Sequence, residues 1–164
     1  MTLIKISTPI KAPVERCFLL SLSIDLHVDS TGRTGERVVA GVRHGLIAEG
    51  ETVTWRGRHF GMLLSHESLI TQYERPRHFQ DSMVSGMFKS FVHDHWFETQ
   101  ADGTTVMRDE LRFAAPMWPL GLLLEWVVLR RYMRRFLEER NRAIRRVAEG
   151  SPDLWRVYLG TQLQ

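Results

Sequence analysis

The stretch from residue 38 to 115 constrains this chain most. Beta-branched and aromatic residues dominate it, and turn signals recur at short intervals: Gly41, Gly45, Glu49-Gly50, Gly61, Arg75-Pro76, Ser85-Gly86 and Asp102-Gly103. That punctuation leaves room only for short strands joined by tight turns, which makes neighbours antiparallel. Six strands are expected, near 38–42, 51–60, 63–73, 78–84, 90–99 and 104–114. Residues 1–10 alternate loosely and add a seventh strand, ended by Pro9 and Pro13. Pro13 opens a helix with Val14, Phe18, Leu19 and Leu22 on one face, and a second short helix is expected over 24–28. Residues 30–37 read as a polar loop. Pro116 and Pro119 close the strand region, and a long helix is expected over 120–148. Its stripe is Leu122, Trp126, Leu129, Met133, Phe136, Leu137 and Ile144, while Arg130, Arg131, Arg134, Arg135, Arg142, Arg145 and Arg146 fall mostly elsewhere. Gly150 stops that helix, and Ser151-Pro152-Asp153 starts a last short one over 154–159.

A chain of 164 residues, 43% hydrophobic and 25% charged, is an ordinary single globular domain, which excludes disordered and collagen-like classes. The one cysteine, Cys17, excludes an internal disulfide and reads as a small buried hydrophobe, so a reducing cytoplasm is the expected compartment. No apolar signal segment is read near the N-terminus, and the run 120–129, broken by Gly121 and Glu125, is too short to span a bilayer. The net charge of +3 is unevenly placed: residues 117–148 hold eight Arg and three Glu. Attraction to an anionic surface would reside there.

The order strand, two short helices, six antiparallel strands and one long helix resembles the helix-grip fold of the START-like, or SRPBCC, superfamily. The resemblance covers residues 1–148 as a single ligand-binding domain and leaves 149–164 as a C-terminal extension. It is carried by Thr8-Pro9-Ile10-Lys11-Ala12-Pro13-Val14-Glu15 with Phe18, by Thr54-Trp55-Arg56-Gly57-Arg58-His59-Phe60-Gly61, and by Tyr73-Glu74-Arg75-Pro76-Arg77-His78-Phe79. His93-Asp94-His95-Trp96-Phe97, Gly103-Thr104, and Pro116 with Pro119-Leu120-Gly121 complete it. The resemblance implies an α+β fold, a curved seven-stranded antiparallel sheet around a C-terminal helix. It also implies a cavity between them that takes a hydrophobic or amphipathic small molecule. Members of the superfamily bind, transfer or catalyse on one scaffold, so the fold implies no single reaction.

Strand parity says what enters that cavity. With period two, Val53, Trp55 and His59 share a face, as do Phe79, Asp81 and Met83, then Phe91, His93, His95 and Phe97, then Met107, Asp109, Leu111 and Phe113. These more apolar sets are expected to face the helix, where Trp126 and Met133 complete the ligand-binding set. His59, Asp81, His93, His95 and Asp109 would thus converge in an apolar concavity. Buried His and Asp are costly unless paired, so they are expected to find one another.

Three readings of that group compete. It is a satisfied network that also orients a ligand; or His95 or His59 is a general acid/base with Asp81 or Asp109 as partner, as in a polyketide cyclase/dehydrase. In the third, His93-x-His95 holds a metal completed by His59 or Asp109. The first is preferred, with no metal and no cofactor expected. Arg56 and Arg58 are expected in solvent unless a bulge at Gly57 re-aims them. His27, His44, His66 and His78 carry no spacing argument. No phosphate loop, nucleophile elbow or paired-cysteine motif is present, and nucleic acid is not an expected partner. The basic helix is read as a solvated face, with peripheral docking of a lipid or quinone chaperone on an anionic membrane as the rival. Leu154, Trp155, Tyr158 and Leu159 would pack on the chain's own body or on a second subunit, leaving monomer and homodimer both open.

Overall fold

A computed structural model describes residues 1–115 and 128–159. The elements are β1 (Thr2–Ile10), α1 (Val14–Ser21), α2 (Ile24–Ser30), β2 (Arg37–Gly41), β3 (Thr52–His59), β4 (Met62–Glu74), β5 (His78–Ser85), β6 (Ser90–Thr99), β7 (Thr105–Ala114), α3 (Arg130–Ala148) and α4 (Pro152–Leu159). The strands fall where the turn signals place them, within two residues at either end. The first part of the helix expected over 120–148 lies outside the described residues, and so does Trp126.

Strand order is β1-β7-β6-β5-β4-β3-β2, with every pair antiparallel. β2 through β7 form a continuous meander, and the chain crosses from β1 at one edge to β2 at the other through α1 and α2. Pro13 stands in extended conformation at the cap of α1, and Ser23 caps α2 by accepting from the Leu26 N–H at 3.3 Å. The pairing of β4 with β5 shifts register twice, between Glu67 and Ser68 and between Ile70 and Gln72. Gly57 carries no bulge; Arg56 and Arg58 on either side of it are exposed.

The core has two apolar parts. In one, Phe18 is fully buried and meets Tyr73, Phe79 and Phe97 edge-on, with ring centroids 5.3, 5.7 and 5.4 Å away. The other joins Ile4, Leu111 and Phe113 to Leu129, Met133 and Leu137 of the helical segment. β7 spans both: Met107 belongs to the first and Leu111 to the second, and Asp109, with no exposed surface, lies between them. Cys17 is buried in the first part, and burial pushes its thiol up to about 11, as the reading of a small hydrophobe requires.

The C-terminal helix packs on its own chain. Trp155 and Leu159 are buried in the first core part, the Arg16 guanidinium lies 4.5 Å from the Trp155 ring centroid, and the Tyr158 hydroxyl donates to Asp29 at 2.8 Å. Most α3 arginines point outward, and Arg134 and Arg145 pair with Glu138 and Glu149 one turn along. Glu139 meets Arg33, ahead of β2, at 2.9 Å. Among the described residues no helix is long and apolar enough to cross a membrane.

Candidate functional site

The inner faces of β5, β6 and β7 build a polar rhombus inside the apolar core. Register sets Asp81 opposite His93, and His95 opposite Asp109. The diagonals close the figure: His95 Nε2 lies 3.0 Å from Asp81 Oδ1, and His93 Nε2 lies 3.0 Å from Asp109 Oδ1. The two imidazoles lie against each other with ring centroids 3.8 Å apart, and Phe79 stacks on His95 at 4.1 Å.

α3 roofs this group with polar residues. Asn141 Nδ2 donates to Asp109 Oδ2 at 2.6 Å. Arg140, only 7% exposed, donates from Nη2 to the Ser21 carbonyl at 3.0 Å and holds Nη1 3.7 Å from Asp109 Oδ1. Burial pushes the Asp109 carboxyl up, but the hydrogen bond from His93, the close approach of His95 and the charge of both rings outweigh it and leave it well below the ordinary range. The same balance holds Asp81 at about 2. Burial, with His95 alongside, pushes His93 down.

A second titratable group stands nearer the edge of the sheet. Glu36, from the loop ahead of β2, takes His27 Nε2 on Oε2 at 2.9 Å and lies 3.1 Å from His59 Nε2 through Oε1. His59 Nδ1 meets the Tyr132 hydroxyl at 2.6 Å, and His27 stacks on Trp55 at 4.0 Å. Burial raises the Glu36 carboxyl, yet hydrogen bonds from His27 and His59 prevail and bring it to about 2. Gly57 makes this approach available: a Cβ there would stand 2.6 Å from Glu36 Cγ.

Between the two groups lies a cavity of about 130 Å³. Apolar Ile24, Val53, Ile70, Phe79 and Leu137 line it together with Asp81, His93, His95, Arg140, His66 and Ser68. A neighbouring cavity of about 90 Å³ shares Glu36, Trp55, His66 and Phe91 with it and continues to His59, Tyr132 and Met133. Among the described residues, four buried side-chain atoms lack a hydrogen-bond partner: His66 Nδ1, His95 Nδ1, Arg140 Nη1 and Asn141 Oδ1. All four belong to this cavity or its roof.

The structure therefore sorts the expected site residues. Trp55, Phe79, Asp81, Phe91, His93 and His95 line the larger cavity; His59 and Met133 line the smaller. Asp109 lies behind the two histidines with no exposed surface. Phe97, Met107 and Leu111 are packed in the core and line neither cavity. Met83 pairs with Ser68 across the bulged ladder, and its sulfur rests beside Gly86. His59 does not join Asp81, His93, His95 and Asp109 as expected, because it is engaged on both ring nitrogens by Glu36 and Tyr132. Glu36, His27, His66, Tyr132, Arg140 and Asn141 escape the parity pattern. A readable trace exists for two of them: Arg140 and Asn141 fill the slot between Leu137 and Ile144 where the helical stripe calls for an apolar side chain.

No protein-family model matches the sequence, and no curated protein matches it. Solved structures do. TTHA0849 from Thermus thermophilus superposes with a TM-score of 0.66 at 14% identity, over 87% of this chain and 97% of that one. Ginseng major latex-like protein 151 from Panax ginseng gives 0.62 at 16% identity, over 91% and 98%. Ara h 8.0201 gives 0.62 at 11% identity, over 88% and 95%. The chain has the START-like helix-grip fold of these proteins, as the order of its elements implied.

Proposed function

We propose that this chain, a START-like helix-grip domain, binds a compact amphipathic molecule in the cavity between the sheet and α3. The observation that carries the reading is the pair of unpartnered buried groups, Arg140 Nη1 and His66 Nδ1, on the wall of an otherwise largely apolar cavity. A buried polar atom without a partner is costly, and a ligand acceptor placed there would relieve it. A cavity of about 130 Å³ is close to the ~150 Å³ of an engineered apolar cavity that binds benzene, so it suits one ring or a short branched chain. A larger, polyketide-like molecule would have to fill both cavities by displacing Trp55 or Phe91. An acidic end is favoured, since Arg33, Arg58, Arg131 and Arg135 surround the open groove beside Tyr132.

Native mass spectrometry of freshly purified protein, with organic extraction of whatever is released, tests this reading. An apolar or aromatic acid leaving with the protein supports it. If the mass is that of the bare chain, and neither benzoate nor indole shifts amide resonances around the cavity, the reading fails.

A second reading is acid/base chemistry on the bound molecule. It is favoured by His95 Nε2, which faces Asp81 at 3.0 Å on the cavity wall. His95→Gln separates the two. Retained binding of the extracted molecule with lost turnover points to catalysis, whereas loss of binding alone points to recognition.

A further inference from the structure

With both rings neutral, the inner rhombus has two ring protons for three contacts of 3.0–3.1 Å. A neutral imidazole has one N–H and one lone pair. His95 stands between two carboxylates, Nε2 at 3.0 Å from Asp81 Oδ1 and Nδ1 at 3.1 Å from Asp109 Oδ1. His93 has one such contact, Nε2 at 3.0 Å from Asp109 Oδ1, while its Nδ1 stands 3.8 Å from Asp81 Oδ1, beyond hydrogen-bond distance. Whichever nitrogen holds its proton, a neutral His95 directs a lone pair at a carboxylate oxygen. Charging His95 would remove that conflict, but it would place an imidazolium 3.8 Å from the His93 ring in a buried site that already holds the Arg140 guanidinium.

A cation on the Asp81 side resolves the conflict at His95 and also takes the uncommitted Nδ1 of His93. We propose that Asp81 Oδ1, His93 Nδ1 and His95 Nε2 bind a first-row divalent metal ion, zinc being the simplest probe, with Asp109 as the outer carboxylate for both histidines. Each ring then gives its lone pair to the metal and its N–H to Asp109. This carboxylate–histidine–metal arrangement fixes ring orientation and strengthens the ligand. The two rings use opposite nitrogens, as the two diagonals of the rhombus require.

The dimensions agree with this assignment. One ligand atom from each of Asp81, His93 and His95 lies within 4.8 Å of the other two. Metal–ligand bonds of 2.0–2.1 Å in a tetrahedron give donor separations of about 3.3 Å. The Asp81 contacts of 3.0 and 3.8 Å fall on either side of that value. Two imidazoles and one carboxylate suit zinc, iron, cobalt or nickel rather than magnesium or calcium. The three residues line the larger cavity, so the remaining position opens onto it. The third ligand is Asp81, on the neighbouring strand, instead of the His59 or Asp109 that H-x-H spacing suggested.

The test uses the full chain, stripped with chelator and freed of organic molecules, titrated with zinc by calorimetry and with cobalt by visible absorption. One equivalent should bind, and cobalt should show the intense bands of four-coordination. Zinc should raise the melting temperature by mass action. Asp81→Asn should weaken binding by about 100-fold, and Asp109→Asn, which removes only the outer carboxylate, by about 10–100-fold. His44→Gln and His78→Gln should leave affinity within about twofold, as histidines remote from the site. Ring resonances of His93 and His95 in the wild type provide a readout that needs no variant: zinc must shift these two and spare His44 and His78. The proposal is overturned if the folded wild type shows no saturable binding. It is equally overturned if zinc shifts other histidines, or if Asp81→Asn folds and binds zinc as the wild type does.

Discussion

β5 and β6 carry His–Asp pairs on both of their faces, and the two faces have opposite characters. On the outer face His78 Nε2 meets Asp94 Oδ1 at 3.0 Å, and Gln80 Nε2 donates to the same oxygen at 2.8 Å. Arg112 takes the other Asp94 oxygen, and Trp96 stacks on His78 at 3.8 Å while remaining 42% exposed. There, one carboxylate has three donors and one imidazole has one carboxylate, so every proton has a place. On the inner face two imidazoles share two carboxylates, with the same 3.0 Å contacts but only two ring protons for three contacts while both rings are neutral. The pair chemistry and the burial of the pair are the same; the ratio of donors to acceptors differs, and the outer pair is covered by the part-exposed Arg112 and Trp96. A satisfied network is what a fold needs for stability, whereas an unsatisfied one next to a cavity is a place for something to bind.

The largest test of this contrast is Asp109→Asn. It removes the carboxylate that His93, His95, Asn141 and Arg140 all face, and leaves Arg140 as a buried charge beside a neutral amide. Breaking a buried charged group in this way should cost about 3–5 kcal/mol in urea denaturation. Asn141 also loses the acceptor of its shortest contact, which an amide oxygen replaces only in part. A cost below about 1 kcal/mol would mean that the inner group is not held through Asp109.

The edge group should respond to acid. Glu36 lies at about 2 in the folded chain against an ordinary 4.5. A carboxyl lowered on folding contributes stability above its unfolded value, and the contribution is lost as pH falls toward the folded value. The shift corresponds to about 3 kcal/mol, of which about 2 kcal/mol should be lost between pH 6 and pH 3. Glu36→Gln should therefore flatten the acid side of the stability profile by about 2 kcal/mol over that interval. Parallel profiles for variant and wild type would show that His27 and His59 do not hold the carboxylate charged.

Outer-face changes should be milder. Asp94→Asn keeps the shape and loses charge-assisted bonds, but it leaves Arg112, whose side chain is 36% exposed, in reach of water, for about 1–2 kcal/mol. Zinc affinity should be unchanged in this variant, since His78 and Asp94 lie across the sheet from the rhombus. A zinc affinity that falls with Asp94→Asn would join the two faces into one network and remove the contrast.

How much of this was legible beforehand follows from what alternation can encode. Period two fixes the face of a side chain, and it placed His93, His95, Asp81 and Asp109 together because β5, β6 and β7 are adjacent. It cannot fix distance across the sheet. β3 is three strand spacings of roughly 4.8 Å from β6, so His59 shares the face and still belongs to another group. Glu36 was invisible for a different reason: it sits on a loop, where no period applies and only the path of the chain aims the carboxylate inward. Arg140 and Asn141 were visible in principle as polar residues in an apolar stripe. Their partner Asp109 is the residue that makes that interruption tolerable.

The smallest expected effect is the sharpest on mechanism. The Arg112 side chain is 36% exposed, and Asp94 keeps His78 and Gln80 when it is gone. Arg112→Ala should cost about 0.5 kcal/mol or less, and the cost should shrink further as salt is added. Redundant donors around one carboxylate make each one dispensable, which is the property the inner rhombus lacks. A salt-independent cost above about 2 kcal/mol would show that water does not screen the Arg112 end of the pair. Solvent access would then no longer distinguish the two faces, and the donor-to-acceptor ratio alone would have to explain why one is a structural network and the other a site.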